Sequence, residues 1–304
     1  MIQLILEQAL NGLQFGLMLF LLAAGLTLVF GIMDVINLAH GSLYMIGAYI
    51  AASVAVKSDS LLLAVVVAMA ATAVLGAALE LTVLRRLYRR DHLSQVLATF
   101  ALILITNDAV RMVWGDQPVM LALPEALSGP VEIGGFIYPA YRLVIVGVGL
   151  VTAATLYWLV ARTRVGMWVR AGASNREMAK AMGVNVRRLF TLVFAFGAAL
   201  CALAGSLLGP LLAVQVGMGE SILILTFVVI VIGGIGSIRG ALVGSLIVGI
   251  VDTLGRALLP TLLAEVFTVE IAASLGPALA SMLVYMLMAS ILFWKPEGLF
   301  PARA

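Results

Sequence analysis

Apolar runs of about twenty residues follow one another along almost the whole chain, and nothing else constrains its fold as strongly. They lie near 10–32, 39–56, 61–83, 94–114, 143–161, 190–212, 222–238, 241–259 and 278–294. Each is long enough to cross a ~30 Å hydrocarbon core as a helix. With 63% hydrophobic and only 11% charged residues, against about 25% charged in an ordinary soluble domain, the chain reads as an integral membrane protein. The expected fold class is all-α, a polytopic membrane protein forming one transmembrane domain over 1–304. Nine runs give about eight transmembrane helices, with one or two broken or re-entrant. The pair 222–238 and 241–259, split by Gly236-Ser-Ile-Arg-Gly240, is either two full spans or broken ones.

The few basic residues are grouped, and the grouping sets the expected orientation. Arg85, Arg86, Arg89 and Arg90 share one loop, seven more lie from Arg162 to Arg188, and Lys295 and Arg303 close the chain. By the positive-inside rule these segments are cytoplasmic. The N-terminus is then outside, Asp34-Val-Ile-Asn37 is a cytoplasmic connection, and 115–141 is the main extracytoplasmic loop. That loop holds Asp116, Glu125 and Glu132 with no basic residue, and its Pro and Gly punctuation argues against a long helix. The sequence start lacks a basic n-region and runs straight into a full-length span, so the first segment is expected to stay.

The longest charged stretch, residues 162–189, contains a helix signal of its own. Ser174-Asn-Arg-Glu177 has capping-box spacing, and Gly183 stands where a left-handed C-terminal cap would end the helix. The resulting two turns would carry Met178 and Met182 on one face, with Ala179 and Ala181 keeping them slim. So short a helix is marginal alone. Either it packs on its own protein or it serves a partner.

Other features are weighed against plain packing. Gly12 with Gly16, Gly205 with Gly209 and Gly240 with Gly244 have helix-packing spacing. Gly233, Gly234, Gly236 and Gly240, four glycines in eight residues, are expected to unwind a span end into a flexible segment. Glu80 is one turn from Arg85, Asp108 is i−3 from Arg111, and Asp252 is i−4 from Arg256, so local ion pairs compete with transport roles. Asn37, His40 and Asn107 are the polar candidates for a translocation path; His40 reads more readily as a helix-entry residue. Cys201 reads as packing. No intramembrane series of carboxylates emerges, which argues against a proton- or sodium-driven carrier. No paired cysteines, HExxH or GxxxxGK[ST] occurs, so metal hydrolysis and an ATPase site within the chain are not expected.

Three segments carry a family resemblance. Val35 to Tyr49, VINLAHGSLYMIGAY, resembles the Asn-x-Ala-His-Gly signature of the H-type permease subunits of branched-chain amino acid ABC importers. Gly233 to Gly244, GGIGSIRGALVG, and Lys295 to Phe300, KPEGLF, are similar to two further hallmarks of that family. Glu177 to Gly183 resembles the EAA loop of ABC importer permeases, with Met178 in place of the usual second alanine. The resemblance implies a non-enzymatic transport subunit in a bacterial cytoplasmic membrane, moving leucine, isoleucine, valine or a related solute such as urea, a short amide or another amino acid. It implies a second, M-type permease, two ATPase subunits that bind the ATP, and an extracytoplasmic solute-binding protein. Ser174, Glu177, Met178, Ala179, Met182 and Gly183 would form the ATPase-coupling helix. No cofactor or metal is implied for this chain.

Overall fold

In hydrocarbon a backbone must satisfy its own polar groups, and the helix does this within one segment. Every apolar run is accordingly helical in the computed structural model, which describes residues 2–88, 90–133 and 136–300. Arg89 and Arg303, two of the residues used for orientation, lie outside the described residues. In chain order the helices are α1 (Ile2–Met33), α2 (His40–Ser58), α3 (Leu61–Leu79), a π-helical turn (Glu80–Leu84) running into the single turn α4 (Arg85–Leu87), and α5 (His92–Trp114). The loop over 115–141 follows with a short α6 (Glu125–Ser128) and the antiparallel strands β1 (Pro130–Ile133) and β2 (Phe136–Pro139). Then come α7 (Ala140–Arg162), α8 (Arg164–Ser174), α9 (Arg176–Ala181), α10 (Val186–Leu208), α11 (Met218–Gly233), α12 (Ile238–Leu263) and α13 (Val269–Trp294).

Among the described residues seven helices are long and apolar enough to cross a membrane. Two of the runs are different. α11 has 16 residues, about 24 Å at 1.5 Å per residue, short of the hydrocarbon thickness. α2 has 19 residues, yet its N-terminus starts deep inside: His40 is fully buried and its ring lies against Gly25 of α1, eight residues before that helix ends at Met33. Of the disputed pair, then, α12 is full length and α11 is the short one, while 39–56 forms a helix of nearly spanning length that starts inside the fold.

The centre is α1 and α10, which are buried for most of their length. Their approach depends on small residues, since lipid offers no hydrophobic force to press helices together and close backbone contact must serve instead. Gly12 and Gly16 of α1 meet Gly249, Ile250 and Ser245 of α12, and a Cβ at Gly16 would sit 2.8 Å from the Ser245 carbonyl oxygen. Gly25 packs on Gly197 of α10.

Contacts between loops sort the molecule into two ends. At one end Val119 bridges Val214, the Tyr138 hydroxyl donates to Asn11 Oδ1, Arg142 also donates to Asn11, and the Tyr141 hydroxyl donates to the Leu207 carbonyl. At the other, Gln95 accepts from the Ile36 amide, Gly31 abuts Gly236, and Arg239 donates to the Tyr157 hydroxyl. The arginine-rich segments gather at this second end. The 115–141 loop is more regular than its Pro and Gly content suggests, because β1 and β2 pair in register from Pro130–Pro139 to Ile133–Phe136.

The glycine-rich break is clamped rather than loose. Only 234–237 leave the helix; Gly233 ends α11 and Gly240 lies in the first turn of α12. Gly234 has φ +102, where glycine escapes the strain a side chain would suffer. The C-terminal tail seals it: the Leu299 amide donates to the Ile232 carbonyl at 2.8 Å and Phe300 to that of Gly233 at 2.9 Å. These are the carbonyls a helix end leaves free. Two of the family-like segments, distant in sequence, thus form one packed joint, and the expected flexible segment is corrected to a pinned one.

Candidate translocation seam and coupling helix

Two places in the fold combine polar chemistry with exposure or an opening. The first is where the short helices meet. α2 and α11 begin face to face, with Gly41 and Gly219 so close that a methyl group on either would overlap the other's carbonyl oxygen. Neither helix has a side-chain N-cap, since Ala39 and Gly217 occupy those positions. Two helix N-termini, each equivalent to roughly half a positive charge, therefore lie side by side. Glu220 in the first turn of α11 supplies the compensating carboxylate, and Asn107 Nδ2 of α5 donates to its Oε1 at 2.6 Å.

A narrow seam opens here, lined by Leu38, Ser42, Met45, Ile103, Asn107 and Glu220 around the glycine pair, too tight in this conformation to admit a water molecule. Asn107 stands seven residues before the end of α5 at Trp114, about 10 Å below that surface. Beside it on α5, Asp108 and Arg111 pair at 3.2 Å with side chains 65% and 52% exposed, and Arg111 also reaches Asp116 at 3.0 Å. The three path candidates from sequence do not gather in one place. Asn107 lines the seam. Asn37 and His40 are fully buried, the first accepting from the Ala39 amide through Oδ1 and the second 3.0 Å from Cys201 Sγ through Nε2. Glu220 was not among the candidates, and the signal that could have found it is its place in Gly217-Met-Gly219-Glu220, an acid in the first turn of an uncapped apolar helix.

The second place is the charged stretch, which is two helices rather than one loop with a single helix. Ser174 is the last residue of α8, and Asn175 is the N-cap of α9: its backbone is extended (φ −151, ψ 104) and its Oδ1 accepts from the Met178 amide at 2.9 Å. The capping-box reading is corrected by one residue, because the extended Asn175 is what breaks the chain's helical course. Glu177 does not reach back; it pairs with Lys180 at 2.8 Å, which holds its carboxyl below the usual range. Ala179 is buried against the bundle. Met178 and Met182 are 61% and 78% exposed.

Gly183 closes α9 as its position suggests. It has φ +85, its amide donates to the Lys180 carbonyl, and the Val184 amide donates to that of Ala179, the double closure of a Schellman turn. A chain of contacts ties α9 to the bundle. The Arg176 guanidinium lies 5.5 Å from the centre of the Phe190 ring, and Phe190 meets Tyr88 edge-on at 5.5 Å. The Tyr88 hydroxyl donates to Glu80 Oε1 at 2.7 Å, Arg85 donates to both Glu80 oxygens, and the Thr191 hydroxyl donates to Oε2. Glu80 is fully buried and opens the π-helical turn, a kind of irregularity frequent at functional sites. The other expected pair, Asp252 with Arg256, forms at 2.9 Å.

Comparison with known proteins was made on this background. Residues 8–292 match the family model described as branched-chain amino acid transport system / permease component. The high-affinity branched-chain amino acid transport system permease protein BraD of Pseudomonas aeruginosa is 30% identical over 97% of this chain and 95% of its own. The corresponding protein LivH of Escherichia coli is 32% identical over 84% of this chain and 87% of its own, and that of Salmonella typhimurium 31% over the same shares.

Proposed function

The chain belongs to the branched-chain amino acid transport system permease component family, and from that premise we propose that it moves leucine, isoleucine or valine across a bacterial cytoplasmic membrane at the expense of ATP bound elsewhere. The ATP is hydrolysed by two partner subunits, a second permease completes the path, and an extracytoplasmic binding protein delivers the solute. The arginine-rich end faces the cytoplasm, with the N-terminus outside. One observation carries the reading: α9 turns two exposed methionines, adaptable apolar contacts, away from the bundle, while Arg176 and the Glu80 network tie its other side to the spans. Such a short lever can pass a rigid-body push from an ATPase groove into the helices.

The seam supports the position of the path. A charged side chain turned toward hydrocarbon is costly, yet Asp108 and Arg111, in the last two turns of α5, are exposed. This face is read as lining a wet path shared with the second permease, with the Asn107–Glu220 pair as its inner wall. The seam closed at Gly41 and Gly219 is the gate of that path.

The test is uptake by the reconstituted complex in proteoliposomes, offered leucine, isoleucine, valine, urea and a short amide. Uptake of the branched-chain amino acids that needs ATP on the ATPase side is expected. Uptake driven by a proton or sodium gradient without the ATPase subunits would overturn the energy source, and ATP-driven uptake of urea or the amide alone would overturn the substrate.

A further inference from the structure

A cavity of about 510 Å³ opens between the π-helical turn and the first turns of α10, lined by Leu81, Arg85, Asn185, Arg187, Arg188, Thr191 and Leu192. It lies on no part of the seam and is distinct from the exposed face of α9. Its chemistry is divided. Arg187 and Arg188 are exposed, and among the described residues neither guanidinium has an acidic partner, whereas the charge of Arg85 is matched by Glu80. Both free arginines sit in the first turn of the 23-residue helix α10, whose N-terminal partial positive charge adds to theirs. Leu81 and Leu192, 48% and 67% exposed, stand on the membrane side. They belong to helices long and apolar enough to span, so the cavity straddles the level where hydrocarbon gives way to headgroups.

A ligand that fits must carry a phosphate-like anion for the two arginines and continue into an apolar chain along the leucines. We propose that this cavity binds the headgroup of an anionic phospholipid, its phosphate against Arg187 and Arg188 and its acyl chains along Leu81 and Leu192. Basic pockets between membrane helices hold acidic headgroups by this combination. A soluble anion would use the arginines and leave the leucines idle; an acidic surface of a partner protein would leave them facing lipid. The bound lipid would rest on Thr191 and Arg85, the residues that hold Glu80, and so against the network tied to α9.

Native mass spectrometry of the full-length permease, purified with its associated subunits and titrated with phosphatidylglycerol or phosphatidylcholine, tests this. Saturable binding of phosphatidylglycerol over phosphatidylcholine is expected, reduced about ten- to thirtyfold in Arg187→Gln/Arg188→Gln, from the usual contribution of each basic residue near an anionic surface. Arg86→Gln, an exposed arginine outside the cavity, should bind as wild type. Equal binding of the two lipids, unchanged binding by the double variant, or an equal loss in Arg86→Gln would each overturn the proposal. Displacement of phosphatidylglycerol by millimolar inorganic phosphate would reassign the cavity to a soluble anion. Loss of ATPase subunits from the double variant with lipid binding intact would reassign it to a protein contact.

Discussion

Gly183 offers a perturbation whose effect can be worked out before the measurement. A Cβ built there meets nothing within 4 Å, so a larger side chain meets no steric clash. The backbone is the whole problem: φ is +85, and an L-residue pays roughly 1–2 kcal/mol for a left-handed conformation, most for a β-branched one. α9 has six residues, too few to persist by propensity alone. Its closure rests on the two hydrogen bonds made by Gly183 and Val184. Gly183→Val should therefore lower the population of the docked helix by about ten- to thirtyfold, from 1.4 kcal/mol per tenfold. Gly183→Asn, which tolerates this conformation far better, should lose only a few-fold. The assay is ATP-dependent leucine uptake in cells lacking other importers, with membrane abundance and ATPase-subunit co-purification measured alongside. The reasoning fails if Gly183→Val transports as wild type, or if the asparagine variant is as defective as the valine one, since then conformation is not what matters at this residue.

Other outcomes follow from the same geometry. Glu80→Ala leaves Arg85, Tyr88 and Thr191 without their shared acceptor, and breaking a buried ion pair costs about 3–5 kcal/mol. Since Arg85 is 35% exposed and can rehydrate, the low end is expected, read as a fall in thermal stability of the purified protein; Glu80→Gln, which keeps two oxygen- or nitrogen-centred hydrogen-bonding positions, should fall less. Glu220→Ala removes the carboxylate between two uncapped helix starts and the partner of Asn107, so uptake should drop at least tenfold while abundance holds, and a variant with normal uptake would remove Glu220 from the path. Asp108→Cys should react with a membrane-impermeant maleimide in the assembled transporter, and an unreactive thiol there would remove this face of α5 from the path. Gly16→Leu forces α1 off Ser245 and Leu246 of α12 and should prevent accumulation of folded protein altogether.

What the sequence reveals here tracks how local the physics is. Apolar runs of membrane length, grouped arginines and a glycine placed to end a helix are local facts, and α1, α3, α5, α7, α10, α12, α13 and the closure at Gly183 follow from them. The ion pairs Glu80–Arg85, Asp108–Arg111 and Asp252–Arg256 were legible because they lie within a turn or so of each other. Depth was not legible. α2 has nearly the composition of a spanning helix, yet it begins beside Gly25 because the connection from Asp34 to Ala39 runs inward, and hydropathy does not record where a helix starts. The partners that give Glu220 and Glu80 their settings, Asn107 and Thr191, are 113 and 111 residues away. The cap of α9 was misread by one residue because serine and asparagine stand side by side and both can cap; only the backbone angle at Asn175 decides between them.

The seam also bears on where these two helices begin. Local turns hold their first amides, with His40 donating to the Asn37 carbonyl, Ser42 to that of Ala39, Met218 to that of Gln215 and Glu220 to that of Gly217, but placing two such starts together adds repulsion between like partial charges. A chain built only for stability would extend both helices to the membrane surface, where water satisfies them. Here α2 and α11 instead start at His40 and Met218 and let their backbones touch at Gly41 and Gly219, with one carboxylate and one amide as the local polar compensation. Entering segments from opposite ends, Asp34–Ala39 and Gly209–Gly217, carry irregular backbone to membrane depth, which lipid permits only where protein or a water-filled cavity covers it. Pairs of interrupted helices meeting this way are how transporters expose backbone polar groups to a solute at mid-depth. A small separation of α2 from α11 would uncover Glu220 and Asn107 together with the backbones at Gly41 and Gly219, so the contact that closes the seam is the one whose opening would give it polarity.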